Sequence, residues 1–84
     1  STIVQNLVAT SAFSQLYPNP SADQFVLTGP NGSYYRITTV DGRSISTGAI
    51  EGIQKVDVSQ WQSGMYTVIV SAGDRQDVHR FLKL

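Results

Sequence analysis

The apolar residues of this chain come in short runs separated by turn residues, and no stretch keeps a helical period for longer than a turn. Residues 13–17 read as a first strand. Pro18-Asn19-Pro20 stops it, because two prolines remove backbone donors and fix φ, and Asn19 ahead of Pro20 is pushed to extended geometry. Residues 24–28 (QFVLT) form a β-rich run closed by the turn cluster Gly29-Pro30-Asn31-Gly32. Residues 34–40 are β-branched and aromatic, with Tyr35 and Ile37 on one face. Asp41-Gly42 then suits a two-residue type I′ hairpin turn, which needs positive φ at both positions. Residues 44–50 return with Ile45 inward, and residues 55–58 form a short alternating strand. Residues 59–64 make a corner, and 65–71 place Tyr66, Val68 and Val70 on one face. Ala72-Gly73-Asp74 turns the chain, and residues 78–84 return as the last strand. Residues 1–12 show neither stripe nor alternation and read as a linker or loosely attached segment ahead of a domain over 13–84.

About seven short strands at roughly 8–12-residue spacing predict an all-β chain, an immunoglobulin-like antiparallel β-sandwich. The cysteine pair of antibody domains is missing, so the pattern supports the architecture alone, with a small barrel as the alternative. Of the 84 residues, 40% are hydrophobic and 14% charged, which fits a packed domain and not a disordered tail. The net charge is zero, which argues against a nucleic-acid partner. Few charges guard the strand edges, so strand addition or weak self-association through an edge strand stays open. The chain has no cysteine, which excludes disulfides, thiolate nucleophiles and cysteine-held zinc, and its one histidine, His79, excludes a multi-histidine metal site. No cofactor is expected. No apolar run approaches the roughly 20 residues that span a bilayer. The opening Ser-Thr-Ile-Val carries no basic and apolar leader, so any export signal is expected upstream in a longer precursor.

The acidic residues are Asp23, Asp41, Glu51, Asp57, Asp74 and Asp77, and Asp23, Asp41 and Asp74 fall at expected turns. A carboxylate pair across a cleft has little room in a chain of this size. No nucleophile elbow accompanies His79, which reads as an exposed strand histidine, and no catalytic group is assigned. The glycines are spread one per turn, so none builds a phosphate loop. Tyr34, Tyr35 and Trp61 admit two readings. They make a stacking platform, as in a carbohydrate-binding or adhesive β-sandwich module, or they are structural. The structural reading places Trp61 in the core at the corner, Tyr35 inward and Tyr34 on the sheet surface, and burial of all three rings would remove the binding module.

Several motifs in order carry a family resemblance. They are Tyr17-Pro18-Asn19-Pro20, Phe25-Val26-Leu27, Asp41-Gly42-Arg43-Ser44-Ile45, the stretch from Val56-Asp57-Val58-Ser59 through Trp61 and Gly64 to Tyr66, and Arg80-Phe81-Leu82-Lys83-Leu84. Together they resemble the C-terminal sorting domain, type A, of cargo proteins of the Bacteroidetes type IX (Por) secretion system, over nearly all of residues 13–84. Trp61 stands where the family usually has Leu, and Thr38-Thr39 where an aromatic or apolar residue followed by Asp is common.

The resemblance implies transport and not catalysis. It implies an N-terminal cargo domain in the same precursor, which is exported to the periplasm and then delivered by the outer-membrane translocon to the outer membrane, cell surface or medium. It also implies a sortase-like protease that cuts before the domain, near or ahead of residues 1–12, and joins the cargo to lipopolysaccharide. The residues offer physical roles beside this. Pro18 and Pro20 end an edge strand, Gly64 takes a conformation other residues resist, and Asp57 and Ser59 bond the corner's backbone. A chain end has little to gain structurally from a defined ending, so Arg80, Phe81, Leu82, Lys83 and Leu84 are the recognition candidates. For Phe81 and Leu82 the plain alternative is completion of the last strand, and for Arg80 and Lys83 it is solvation.

Overall fold

The computed structural model describes residues 13–84. The linker expected over 1–12 lies outside the described residues. Five antiparallel strands form one sheet: β1 (Gln15–Tyr17), β2 (Gln24–Thr39), β3 (Ser44–Asp57), β4 (Gly64–Ala72) and β5 (Arg75–Lys83). The long strand β2 organises it. Its first half lies between β1 and β3, its second half between β4 and β3, and β5 pairs with β4.

The all-β, antiparallel character stands, but a curled sheet of five strands replaces the expected immunoglobulin-like sandwich of about seven. Gly29-Pro30-Asn31-Gly32 does not reverse the chain. It is an irregularity inside β2, between the pairs Gly29–Gly52 and Ser33–Ile50, after which the same two strands go on pairing. The runs expected over 24–28 and 34–40 are therefore two halves of β2, and those over 44–50 and 55–58 are joined in β3. Proline and glycine at a bulge bend a strand as readily as they end one, and local composition does not separate the two outcomes.

Alternation along the strands buries Phe25, Leu27, Ile37, Ile50, Val58, Val68, Val70 and Phe81 completely, with Tyr35, Val56 and Tyr66 nearly so. Phe25 and Phe81 meet at a ring-centroid distance of 4.7 Å although β2 and β5 are not paired, so this contact curls the sheet onto itself. Each such side chain contributes about 1.5–3 kcal/mol on burial.

Two local expectations change. Ile45 is exposed, because Ile37 pairs with Ser46 and Thr38 with Ser44, which leaves Ile45 as the extra residue of a bulge. The Asp41-Gly42 hairpin is not type I′, since Asp41 does not take positive φ and only Gly42 of the pair does, at +90°. Gly42 N–H bonds Thr39 O, and Thr39 N–H bonds Arg43 O, each at 2.9 Å. This is a turn through Val40 and Asp41 followed by a glycine bulge, the usual three-residue solution. The last strand also begins earlier than expected, at Arg75.

Candidate functional site

Alternation along β5 sorts the recognition candidates into two groups. Arg80, Leu82 and Leu84 face solvent, while Phe81 and Lys83 face the core side. Lys83 is only 6% exposed, and its Nζ donates to the Leu84 backbone oxygen at 2.9 Å. The five residues therefore do not form one continuous exposed peptide.

The edge of β5 that faces away from β4 is covered by residues 13–21. Asn19 Nδ2 donates to Arg80 O at 2.7 Å, and Asn19 Oδ1 accepts the Leu82 N–H at 3.1 Å. Its carboxamide thus replaces a strand's own donor and acceptor. Ser21 continues the contact with backbone: its N–H bonds Leu82 O at 3.2 Å, and its carbonyl accepts the Leu84 N–H at 3.0 Å. Ser21 and Lys83 form a parallel bridge. β1 ends at Tyr17, as the prolines require, and both Tyr17–Pro18 and Asn19–Pro20 are cis. Tyr17-Pro18-Asn19-Pro20 and residues 80–84, remote in sequence, are one seam in space. The expectation that residues 83–84 gain little structurally is thereby corrected, because Leu84 is held by Ser21 and Lys83 is buried.

At the other end of the seam Asp77 Oδ2 accepts three hydrogen bonds. They come from Phe13 N–H and Ser14 N–H at 2.9 Å each and from Ser14 Oγ at 2.7 Å. His79 Nε2 stands 2.7 Å from the same Ser14 oxygen. With the serine proton directed to Asp77, the imidazole donates through Nε2–H. Arg75 lies over the Phe13 ring, 4.8 Å from its centroid. Burial alone would raise the Asp77 carboxyl, but the bonds from Ser14 and Phe13 outweigh it and hold the group below its ordinary value. Burial lowers His79, with the Asp77 charge partly opposing.

His79 is thus a half-buried, hydrogen-bonded residue and not the exposed strand histidine expected from sequence. The three side chains are those of a hydrolase triad in the wrong order. Here the hydroxyl stands between carboxylate and imidazole, whereas proton abstraction needs the imidazole in the middle. Ser14 is buried and its hydroxyl already engaged, so the cluster is a tie.

The corner holds the remaining motif residues. Asp57 Oδ1 accepts Ser59 N–H at 2.9 Å and Ser59 Oγ at 2.7 Å, bonds that hold its carboxyl below the ordinary value. The Asp57 contact to backbone is as expected, but the Ser59 hydroxyl turns to Asp57 and not to the backbone. Tyr66 OH donates to Gln62 O at 2.7 Å, and Trp61 packs on Tyr66 and Phe25 at 4.9 and 6.4 Å. Gly64 has φ +142°, a conformation that L side chains rarely adopt, so the expectation for this residue holds. Asp41 and Arg43 share with Gly64 and Met65 the walls of a shallow cavity of about 360 Å³. Among the aromatics, Tyr35 is buried and Trp61 is packed against the core, which leaves Tyr34, 59% exposed, as the one open ring of the proposed stacking platform.

Ser14, Ser21 and Asp77 were missed by the sequence reading. For Ser14 and Asp77 the only signal is polar character in step with inward positions, Ser14 with Leu16 and Asp77 with His79 and Phe81, and Ser21 carries no such signal.

A comparison with curated proteins finds no match. The chain does match the family of secretion system C-terminal sorting domains over residues 15–83. That span opens at the first residue of β1 and closes at the last residue of β5, taking in the Asn19 clamp and the corner. With the sheet, the Asn19 clamp and the corner inside it, the chain belongs to the C-terminal sorting domains of the type IX secretion system.

Proposed function

We propose that this domain directs an attached N-terminal cargo across the outer membrane by being read, in its folded state, by the type IX translocon. The family match over residues 15–83 carries the reading. The exposed side chains of Arg80 and Leu82 on β5 and of Leu84 just past it support it, because they are presented on backbone held in place and not on a loose end. Phe81 and Lys83 serve from inside, by setting the position of that strand. Asp57, Ser59, Gly64 and Tyr66 shape the corner beside it. Once the cargo reaches the surface, a sortase-like protease cuts ahead of Phe13 and joins the cargo to lipopolysaccharide. The cargo then ends at the outer membrane, at the cell surface or in the medium.

The test is a secretion assay. Residues 1–84 are fused behind a signal peptide and a fluorescent reporter in a bacterium with the type IX system and in a strain without its translocon. Reporter at the surface or in the medium, and only with the translocon, is the expected result. Reporter held in the periplasm of both strains would remove the sorting role and leave the binding module, with Tyr34 as its one open ring, as the remaining reading.

A further inference from the structure

The sheet's outer side carries apolar residues that the core does not use. Register aligns Tyr34 with Ser71 and Gln76, Arg36 with Ile69 and Val78, Thr38 with Thr67 and Arg80, and Met65 with Leu82. Residues aligned this way share a face. On this one Tyr34 is 59% exposed, Val78 57%, Met65 42% and Leu82 38%. The opposite face of the same strands holds Tyr35, Ile37, Val68, Val70 and Phe81, so folding does not require this second apolar surface.

Along β4, β5 and residues 33–39 its charge is of one sign. Arg36 and Arg80 lie on it, and none of the outward positions of β4, β5 or residues 33–39 is acidic. Neither guanidinium meets a carboxylate among the described residues. A shallow cavity of about 310 Å³ beside Tyr34 and Arg36 marks one end of the face. The cavity that Met65 shares with Asp41 and Arg43 marks the other.

We infer that this face docks a protein partner whose surface sets carboxylates among apolar side chains. The inference rests on the sorting role proposed above and names the surface through which it is exercised. Tyr, Met and Arg without Lys, Asp or Glu is the composition of a protein–protein contact. A membrane is a poorer fit, since lipid-binding surfaces gather about four to eight basic residues and this one has two. A second copy of the same face would set arginine against arginine. The apolar residues supply contact area, and Arg36 and Arg80 fix orientation and select against basic surfaces.

The experiment uses the reporter fusion with the whole chain. In the translocon-bearing strain, Arg36→Glu/Arg80→Glu should cut export by about tenfold or more, as expected for reversed charge at a contact. Its melting temperature should stay within about 3 °C of the parent, as for surface substitutions. Lys55→Glu, on β3 beside Val26 in the half of β2 remote from Arg36, should export like the parent. Where the double reversal does not fold, Arg36→Gln/Arg80→Gln and Val78→Thr should each lower export while folding normally. Export of these variants at the parent level, or an equal loss from Lys55→Glu, overturns the docking face and leaves the sorting role standing. A parent fusion that is not exported overturns both. Co-sedimentation of the chain with phosphatidylglycerol vesicles, lost on reversing the two arginines, would assign the face to lipid and overturn the inference.

Discussion

Strand β2 meets β3 backbone to backbone from Gln24–Asp57 to Thr38–Ser44, with two register shifts along the way. Residues 13–21 meet β5 differently. There one carboxylate, one carboxamide, one serine hydroxyl and one imidazole make most of the bonds, and backbone pairs with backbone only at Ser21. A ladder tolerates substitution, because every residue brings the same donor and acceptor. A seam of side chains depends on those particular residues. Local opening starts where few bonds must break, so the seam is the low-stability side of the sheet. It is also the side where the chain enters from residues 1–12 and where residues 80–84 are held.

The largest effect should come from Asp77→Ala. It leaves two N–H groups and a hydroxyl without their acceptor. A loss of about 3 kcal/mol follows from charge-assisted bonds of roughly 1.5–3 kcal/mol each with partial rescue by water. Urea unfolding checks this, and hydrogen exchange should speed up at Phe13 and Ser14 far more than at Ile37 in the ladder. Uniform acceleration would erase the distinction between seam and ladder.

Asn19→Ala is next, at about 2 kcal/mol for two neutral hydrogen bonds and an uncovered strand edge. Exchange at the Leu82 amide, which loses its acceptor, is the sensitive readout. An unchanged Leu82 amide would mean that Ser21 alone holds this end.

The smallest effect is one of pH. The native His79 lies below its ordinary value of 6.5, so the unfolded chain takes up the proton first. Stability is fully present above 6.5 and falls as pH drops toward the lowered native value. Asp77, held below 3.8, adds a second loss of the same sign at more acidic pH, as its carboxylate protonates. Exchange at Phe13 and Ser14 should therefore rise between neutral pH and the lowered native value of His79 while β2–β3 amides keep their protection. His79→Gln should flatten that response.

Sequence alone determined much of this protein. Strand-forming runs, inward Tyr66, Val68 and Val70, the strand stop at Pro18 and the Gly64 corner all follow from local sterics and period-two alternation, which neighbouring residues carry among themselves. Whether Gly29-Pro30-Asn31-Gly32 reverses or bends the chain depended on β3, which goes on pairing across it. Ile45 turned outward because the register shifted opposite Ile37 and Thr38, and register is a property of two strands. Likewise, nothing near Asn19 names Arg80 and Leu82 as its partners, and nothing near Asp77 names Ser14. Those bonds join positions more than sixty residues apart, which the closed core, with Phe25 on Phe81, holds together. Hydrophobic contact is nondirectional and closes the fold, whereas hydrogen bonds form only once closure has set their geometry.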